Sequence, residues 1–235
     1  MNEQPCLPAP GTRATGWIVQ CDFDGTISVE DVTDSLLRRF GRPGWQALET
    51  AWERGEIGSR ECMMGQVALL DMNQAELLAH LDTMAIDSHF GAFVREAQRH
   101  GVGIQLVSDG LDQAITHILR RHGLGELPVF ANQLVHEGER RWTLRTPHAN
   151  AQCVRASGNC KCARALAEQQ RKLKVLYVGD GSSDFCVAGR ADIVLAKASL
   201  ISHCTAQRIP HQPFRHFGEA LALMRAQVAV VEVAT

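Results

Sequence analysis

Two aspartates stand two positions apart in the stretch CDFDGTIS, at 22 and 24, where the apolar run GWIVQC ends. Side chains on a strand alternate, so Asp22 and Asp24 point to one face. Like charges that close repel and disturb at least one pKa unless a cation lies between them. Gly25 and Thr26 bend the chain at once, which delivers the pair to the mouth of a turn. Two further strand-like runs end in polar groups: VGIQLVSDG in Ser108 and Asp109, and KVLYVGDG in Asp180, with Asp184 just beyond. Asp22, Asp24, Asp180 and Asp184 can share a pocket only if a hard cation neutralises them, and oxygen donors of this kind select Mg²⁺. Ser108, at a strand-to-helix turn, suits a phosphate oxygen. Lys161, at the start of a helix before the Asp180 strand, is the best placed fixed positive charge. Plainer readings exist: Asp180 and Ser182 are good helix caps, and most helix lysines are exposed.

The elements that must position these groups alternate. GWIVQCD (16–22) reads as a buried strand, and from Asp31 to about Ala85 four segments in a row place apolar residues at helical spacing. Asn73 with Glu76 three residues later makes a capping box for the last of them. Trp45 and Trp52, seven apart on one helix, read as core of this insertion. Beyond it come a helix closed by Gly101, the Ser108 strand, a helix closed by Gly123, and a hairpin turning near Gly138. The Lys161 helix, the Asp180 strand, a short helix and the strand DIVLA follow. This rhythm implies an α/β fold, a doubly wound parallel sheet with helices on both faces and ligands at the carboxyl ends of the strands. The expected organisation is a loose tail at 1–15, a core of 16–28 and 87–235, and a helical cap at 29–86. The closing VAVVEVAT reads as an edge strand, an oligomer contact or a frayed end, and the oligomeric state stays open.

The chain has 235 residues, 45% apolar and 21% charged, enough for a sizeable core. A net charge of −2 gives no basic footprint for nucleic acid. No stretch is long and apolar enough to span a membrane. The first residues lack the basic and apolar regions of a secretory signal, and eight cysteines without one fit a reducing compartment, so the expected place is the cytoplasm. His148, Cys153, Cys160 and Cys162 include no paired Cys-x2-Cys knuckle. Loop packing or a reversible disulfide is a simpler reading of them than zinc.

DFDGT, a strand-end serine, a lysine and GDGSSD, in this order, resemble the four motifs of the haloacid dehalogenase superfamily over residues 17 to about 196. The resemblance implies a nucleophile at Asp22, forming an aspartyl-phosphate, and a general acid and base at Asp24. It implies phosphoryl binding by Ser108 and Lys161. It gives Mg²⁺ to Asp22, Asp180 and the Asp24 carbonyl, with Asp184 in support. Dehalogenases proper lack the second aspartate, so Asp24 favours phosphoryl transfer from a small phosphomonoester. A dead binding module or a phosphotransfer mutase on the same fold are the alternatives, and no catalytic residue is missing.

The helical insertion resembles the cap of the phosphoserine phosphatase branch. There Asp31 takes the place of a glutamate that binds the substrate ammonium, and Gln66 that of an arginine that binds its carboxylate. Glutamine has no charge for that purpose, which disfavours phosphoserine. Asp31, the GQ before the apolar cap run and the Cys-rich segment around Lys161 resemble the 2-hydroxy-3-keto-5-methylthiopentenyl-1-phosphate phosphatases of methionine salvage. One departure stands out: Asp109, before Gly110, occupies a position where that family has glycine. The phosphocholine and phosphoethanolamine phosphatases carry an aspartate there, so Asp109 and Gly110 join Asp31 and Gln66 as candidate substrate contacts.

Overall fold

Trp17–Cys21 forms the central strand, β1, and its residues Ile18, Val19 and Cys21 are buried on both faces, as expected where helices cover a parallel sheet. The computed structural model describes residues 16–232, with side chains through residue 227. The expected tail lies outside the described residues. The other strands are β2 (Gly103–Leu111), β3 (Val129–Gly138), β4 (Arg141–Arg145), β5 (Lys174–Gly179), β6 (Ile193–Ala196) and β7 (Gln212–Pro213). They form a seven-stranded sheet in the order β4-β3-β2-β1-β5-β6-β7. Every pairing is parallel except the β3–β4 hairpin. Chain order runs outward from β1 on both sides, so the switch point lies between β1 and β5. Cys21 is level with Leu106 of β2 and Val178 of β5, which brings the ends of β1 and β5 to the height of Ser108; β2 runs on past it, irregularly paired, to Leu111.

Helices α1 (Val32–Phe40), α2 (Trp45–Glu53), α3 (Ser59–Ala68) and α4 (Gln74–Leu81) follow β1 without an intervening strand. The remaining helices are α5 (Phe90–Arg99), α6 (Asp112–Arg121), α7 (Lys161–Gln170), α8 (Phe185–Ala188), α9 (Ala198–Gln207) and α10 (Phe217–Glu232). One face of the sheet packs Val19 and Leu106 against Phe90, Phe93 and Phe217, whose rings meet edge to face at 4.8 and 5.2 Å. Burying each such side chain contributes about 1.5–3 kcal/mol. The other face packs Ile18, Val175 and Tyr177 on Ala165 of α7. Gln20 and Gln105, opposite each other in register, lie buried in the same sheet. Both ends of the Gln20 amide and Nε2 of Gln105 have no hydrogen-bond partner among the described residues.

The insertion enters and leaves through a narrow neck. Ser28 bridges Ile86, Val29 N–H donates to Ala85, and Asp87 N–H donates to Ile27. Asn73 and Glu76 make both bonds of the expected capping box. The α3–α4 turn is then clasped by the β3–β4 hairpin. Trp142, buried, donates its indole N–H to Met72 O at 2.8 Å, while Arg140 reaches Asp71 O at 2.7 Å and Glu76 at 2.8 Å.

Two expectations change. Residues 228–232 of the closing run continue α10, so they are not an edge strand; β7 holds that edge. Sequence pattern assigns nothing between Ala196 and that run, yet α9, β7 and most of α10 lie there. Long-range contacts fix α10: Phe217 in the aromatic cluster, and Arg225 on the buried Glu96 of α5. Trp45 does pack against the core, but Trp52 turns to the cleft described next.

Candidate active site

Three strand ends meet at the switch point. Asp22 is the first residue past β1 and is buried. Its Oδ1 accepts from Phe23 N–H at 2.7 Å and its Oδ2 lies 2.8 Å from Lys161 Nζ. The turn after it is held by N–H groups of Thr26, Ile27 and Ser28, all donating to Phe23 O. Gly25 is required there twice over. Its φ is +68°, and a Cβ would stand 2.7 Å from Asp180 Oδ2. Thr26 Oγ1 donates to Asp180 Oδ1 at 2.7 Å, tying the β1 turn to the end of β5. Lys197 closes the same turn from β6, donating to Gly25 O at 2.9 Å.

Lys161 is the first residue of α7 and is buried, not an exposed helix lysine. Its ammonium touches Asp22, Asp184 at 2.6 Å and Ser183 Oγ at 2.9 Å. Burial works against its charge, but Asp184 and Asp22 outweigh it and hold the pKa above the ordinary lysine value. Burial likewise pushes against the charge of Asp184. There Lys161, the Tyr177 hydroxyl and the Gly181 N–H win, and its carboxyl sits below the usual range. For Asp22 the balance falls the other way: burial, with Asp184 and Asp180 adding to it, overcomes Lys161 and raises the pKa to about 8. Burial, and Asp31 nearby, raise Asp24 despite a 2.9 Å bond from Val32 N–H. Burial also raises Asp180.

Carboxylate oxygens of Asp22, Asp180 and Asp184 lie within 4.8 Å of one another, the one such cluster among the described residues. One ammonium faces three carboxylates, which leaves the cluster with an excess of negative charge. This donor set fits a hard metal ion. His148, Cys153, Cys160 and Cys162 form no comparable cluster: Cys153 neighbours Cys160, Cys162 neighbours Cys186, and His148 stands edge-on to Phe130.

Ser108, from β2, faces the same cleft, and its Oγ accepts from Gly110 N–H at 3.0 Å. A Cβ at Gly110 would collide with Asp24 Oδ2, so glycine lets the backbone approach the acid. Asp109 also lines the cleft, but its carboxylate is engaged. Oδ2 accepts from Ser59 of α3 at 2.7 Å, and Oδ1 accepts from Asn159 N–H at 2.9 Å and Asn132 at 3.1 Å. Asp109 thus joins the insertion, β3 and the Cys-rich loop. Asn159 extends the tie by donating to Ser108 O and Phe130 O.

The insertion forms the opposite wall with Asp31, Asp34, Glu49, Trp52, Met63 and Gln66. Asp31 caps α1, accepting from Asp34 N–H; its side chain is exposed at the cleft mouth, and the protein mass around it, with Asp34 adding, pushes its pKa upward. No Lys, Arg or His is among the residues that line the cleft. The structure therefore brings together Asp22, Asp24, Ser108, Lys161, Asp180 and Asp184, with Asp31, Gln66, Asp109 and Gly110 around them. Sequence reasoning misses Glu49 and Trp52, whose helical spacing carries no chemical signature. It also misses Tyr177 and Asn159, which act by long-range hydrogen bonds; a tyrosine inside an apolar strand three residues before Asp180 is the one available hint for Tyr177.

A family model for haloacid dehalogenase-like hydrolases matches residues 19–189. The chain belongs to that family. This hydrolase is 35% identical over 212 residues to a 2-hydroxy-3-keto-5-methylthiopentenyl-1-phosphate phosphatase of an Exiguobacterium species, covering 88% of this chain and 96% of the relative. It is 32% identical to the protein of the same name from Geobacillus kaustophilus, covering 91% and 98%. Among solved structures, a phospho-aspartyl intermediate analogue of phosphoserine phosphatase superposes with a TM-score of 0.67 at 18% identity, over 88% of this chain and 98% of the other. That likeness speaks for the hydrolase fold alone. No helix among the described residues is long and apolar enough to cross a membrane.

Proposed function

We propose that the protein is a Mg²⁺-dependent phosphatase that hydrolyses a small phosphomonoester at Asp22, with 2-hydroxy-3-keto-5-methylthiopentenyl-1-phosphate as its substrate. The observation that carries the chemistry is Asp22 held by Lys161 beside Asp180 and Asp184, with Asp24 two residues on. Asp22 attacks phosphorus and forms the aspartyl-phosphate, while Asp24, whose burial favours the protonated form, gives its proton to the departing alcohol oxygen. Asp24 then takes a proton from water, whose oxygen attacks phosphorus and releases Asp22. Ser108 and Lys161 hold the phosphoryl oxygens throughout. Bound Mg²⁺, on Asp22, Asp180, Asp184 and the Asp24 carbonyl, supplies the positive charge the cluster lacks.

Residues 29–86 act as a cap that excludes water and reads the leaving group. The names of the relatives and an uncharged Gln66 at the far wall support the keto-enol substrate. The free thiols of the seven described cysteines are in keeping with a cytoplasmic place. A second reading, phosphocholine or phosphoethanolamine hydrolysis, draws on Asp31, Asp34 and Glu49 in the cap wall. It draws less on Asp109, whose oxygens are already bonded. Phosphate release with Mg²⁺ from the methionine-salvage ester, phosphocholine, phosphoethanolamine and phosphoserine tests the proposal. The expected order puts the salvage ester first and phosphoserine last; efficient phosphoserine cleavage above the others overturns it.

A further inference from the structure

Glu49 belongs to none of the motifs, yet it sets the orientation of Gln66, the one side-chain amide among the described residues that line the cleft. It sits on α2 and accepts from Gln66 Nε2 at 2.7 Å, and the same oxygen takes the Cys62 thiol at 3.9 Å. A carboxylate can only accept, so Gln66 must turn its NH₂ toward Glu49 and its Oε1 away. Burial of Glu49 raises its pKa, and the Gln66 bond opposes that rise and favours the ionised form. Gln66 is itself buried in the wall. Its Oε1 makes no hydrogen bond among the described residues, yet it is not among the sealed, unpartnered atoms. With the NH₂ held on Glu49, Oε1 is the end of this cleft-lining amide left to meet a ligand.

We propose that Glu49 is a specificity-determining positioning residue: by locking the Gln66 amide it makes that point of the cap wall an acceptor. The leaving group is then read there through a neutral donor, a hydroxyl, and a carboxylate is turned away. A freely rotating glutamine would serve either group, since its NH₂ could bind a carboxylate. With the amide fixed, a carboxylate would meet an oxygen, with the charges of Glu49, Asp31 and Asp34 on the same wall. This inference rests on the phosphatase reading and names the class of leaving group within it.

Glycerol 3-phosphate and 3-phosphoglycerate differ only in a terminal CH₂OH against a carboxylate, and their kcat/KM ratio with Mg²⁺ reads the effect. The unmodified protein should favour glycerol 3-phosphate by roughly ten- to a hundredfold. Glu49→Lys forces the Gln66 oxygen toward the ammonium and its NH₂ toward the cleft. The ratio should collapse to near one or invert, with the change carried in KM. Glu49→Leu should lose about tenfold of the ratio, whereas Glu49→Gln, still able to accept from Gln66, should keep it within about threefold. A ratio in Glu49→Leu and Glu49→Lys equal to that of the unmodified protein overturns the proposal.

Two measurements keep this separate from the phosphatase reading. Calorimetric binding of both esters to Asp22→Asn, with and without Glu49→Lys, gives the ratio without turnover. The Gln66 side-chain NH₂ signal, assigned by its loss in Gln66→Glu, should be shifted and protected from exchange in the unmodified protein and in Glu49→Gln, and in neither Glu49→Leu nor Glu49→Lys. Absence of phosphatase activity in the unmodified protein, with these two signatures intact, sinks the catalytic reading alone. An unprotected amide, or equal binding of the two esters, sinks the Glu49 inference alone.

Discussion

The floor of the cleft and its cap wall solve the same problem, placing carboxylates near a phosphate ester, by opposite means. On the floor the carboxylates around Lys161 are tied to partners far away in the chain. Asp184 takes Lys161, Tyr177 and two backbone N–H groups, and Asp180 is tied to the turn that follows β1. On the wall, Asp31, Glu49 and Gln66 hang from short helices, held by one or two local bonds. The floor is rigid because its partners come from different strands. The wall can change its residues without disturbing the sheet, and the proposed function puts substrate choice there.

The largest effect expected from this contrast is on turnover. Asp22→Asn should lower Mg²⁺-dependent phosphate release by roughly 10³-fold or more, far beyond any cap substitution. Comparable loss from Gln66→Ala against every ester would erase the distinction between floor and wall. Excess chelator should abolish activity and lower Tm, because three carboxylates, two of them buried, would then face Lys161 alone. Full activity in chelator contradicts the fit of the Asp cluster to a metal. Lys161→Met leaves Asp22 and Asp184 buried without their cation, a loss of about 3–5 kcal/mol. Thermal unfolding should fall by roughly 6–20 °C.

Asp109 sharpens the boundary, since it bonds to both sides. Asp109→Gly orphans Asn159 N–H and takes one of two acceptors at residue 109 from the Asn132 amide, which keeps the backbone oxygen, so it should cost about 1–3 kcal/mol where the Asn159 group stays buried. Denaturant titration measures this. An unchanged midpoint, with phosphocholine binding selectively weakened, would return Asp109 to the role of a substrate contact.

The smallest effect concerns the clasp between hairpin and insertion. Hydrogen bonds from Arg140 hold the exposed Asp71 below the ordinary carboxylate range; the Asn73 N–H, with Arg140 behind it, does the same for Glu76. A depressed folded-state pKa stabilises above the unfolded value, near 4, and the contribution is lost as pH falls through the folded one. Arg140→Met should therefore show its Tm deficit at pH 7, less of it below about pH 4, and less in high salt. A deficit that is independent of pH and salt would mean that Arg140 acts through packing instead.

The same contrast explains what could be read in advance. Asp22, Asp24, Ser108, Lys161 and Asp180 sit at strand ends or helix starts, where the alternation of apolar runs and turn residues marks each position. The parallel sheet and the four-helix insertion follow from the same periodicities. Tyr177 and Asn159 matter only through partners 7 or more residues away, so spacing alone is silent about them. Glu49 and Trp52 lie on a helix with no buried residue, where nothing in the pattern separates a cleft-facing side chain from a solvated one. The closing apolar run looks strand-like by composition, but its residues 228–232 continue α10, whose earlier turns are fixed on α5 by Phe217 and Arg225.

The clasp has a practical consequence for anyone wishing to graft a different specificity onto this scaffold. Residues 29–86 look like a self-contained cassette, joined to the sheet by two short crossings at Ser28 and Ile86. Exchanging that cassette alone would strand the Trp142 indole and the Arg140 guanidinium, which seek Met72, Asp71 and Glu76. The transplantable piece is the insertion together with the β3–β4 hairpin. Because β3 also carries Asn132, whose amide reaches Asp109, a foreign hairpin would in turn have to supply that amide at the same register.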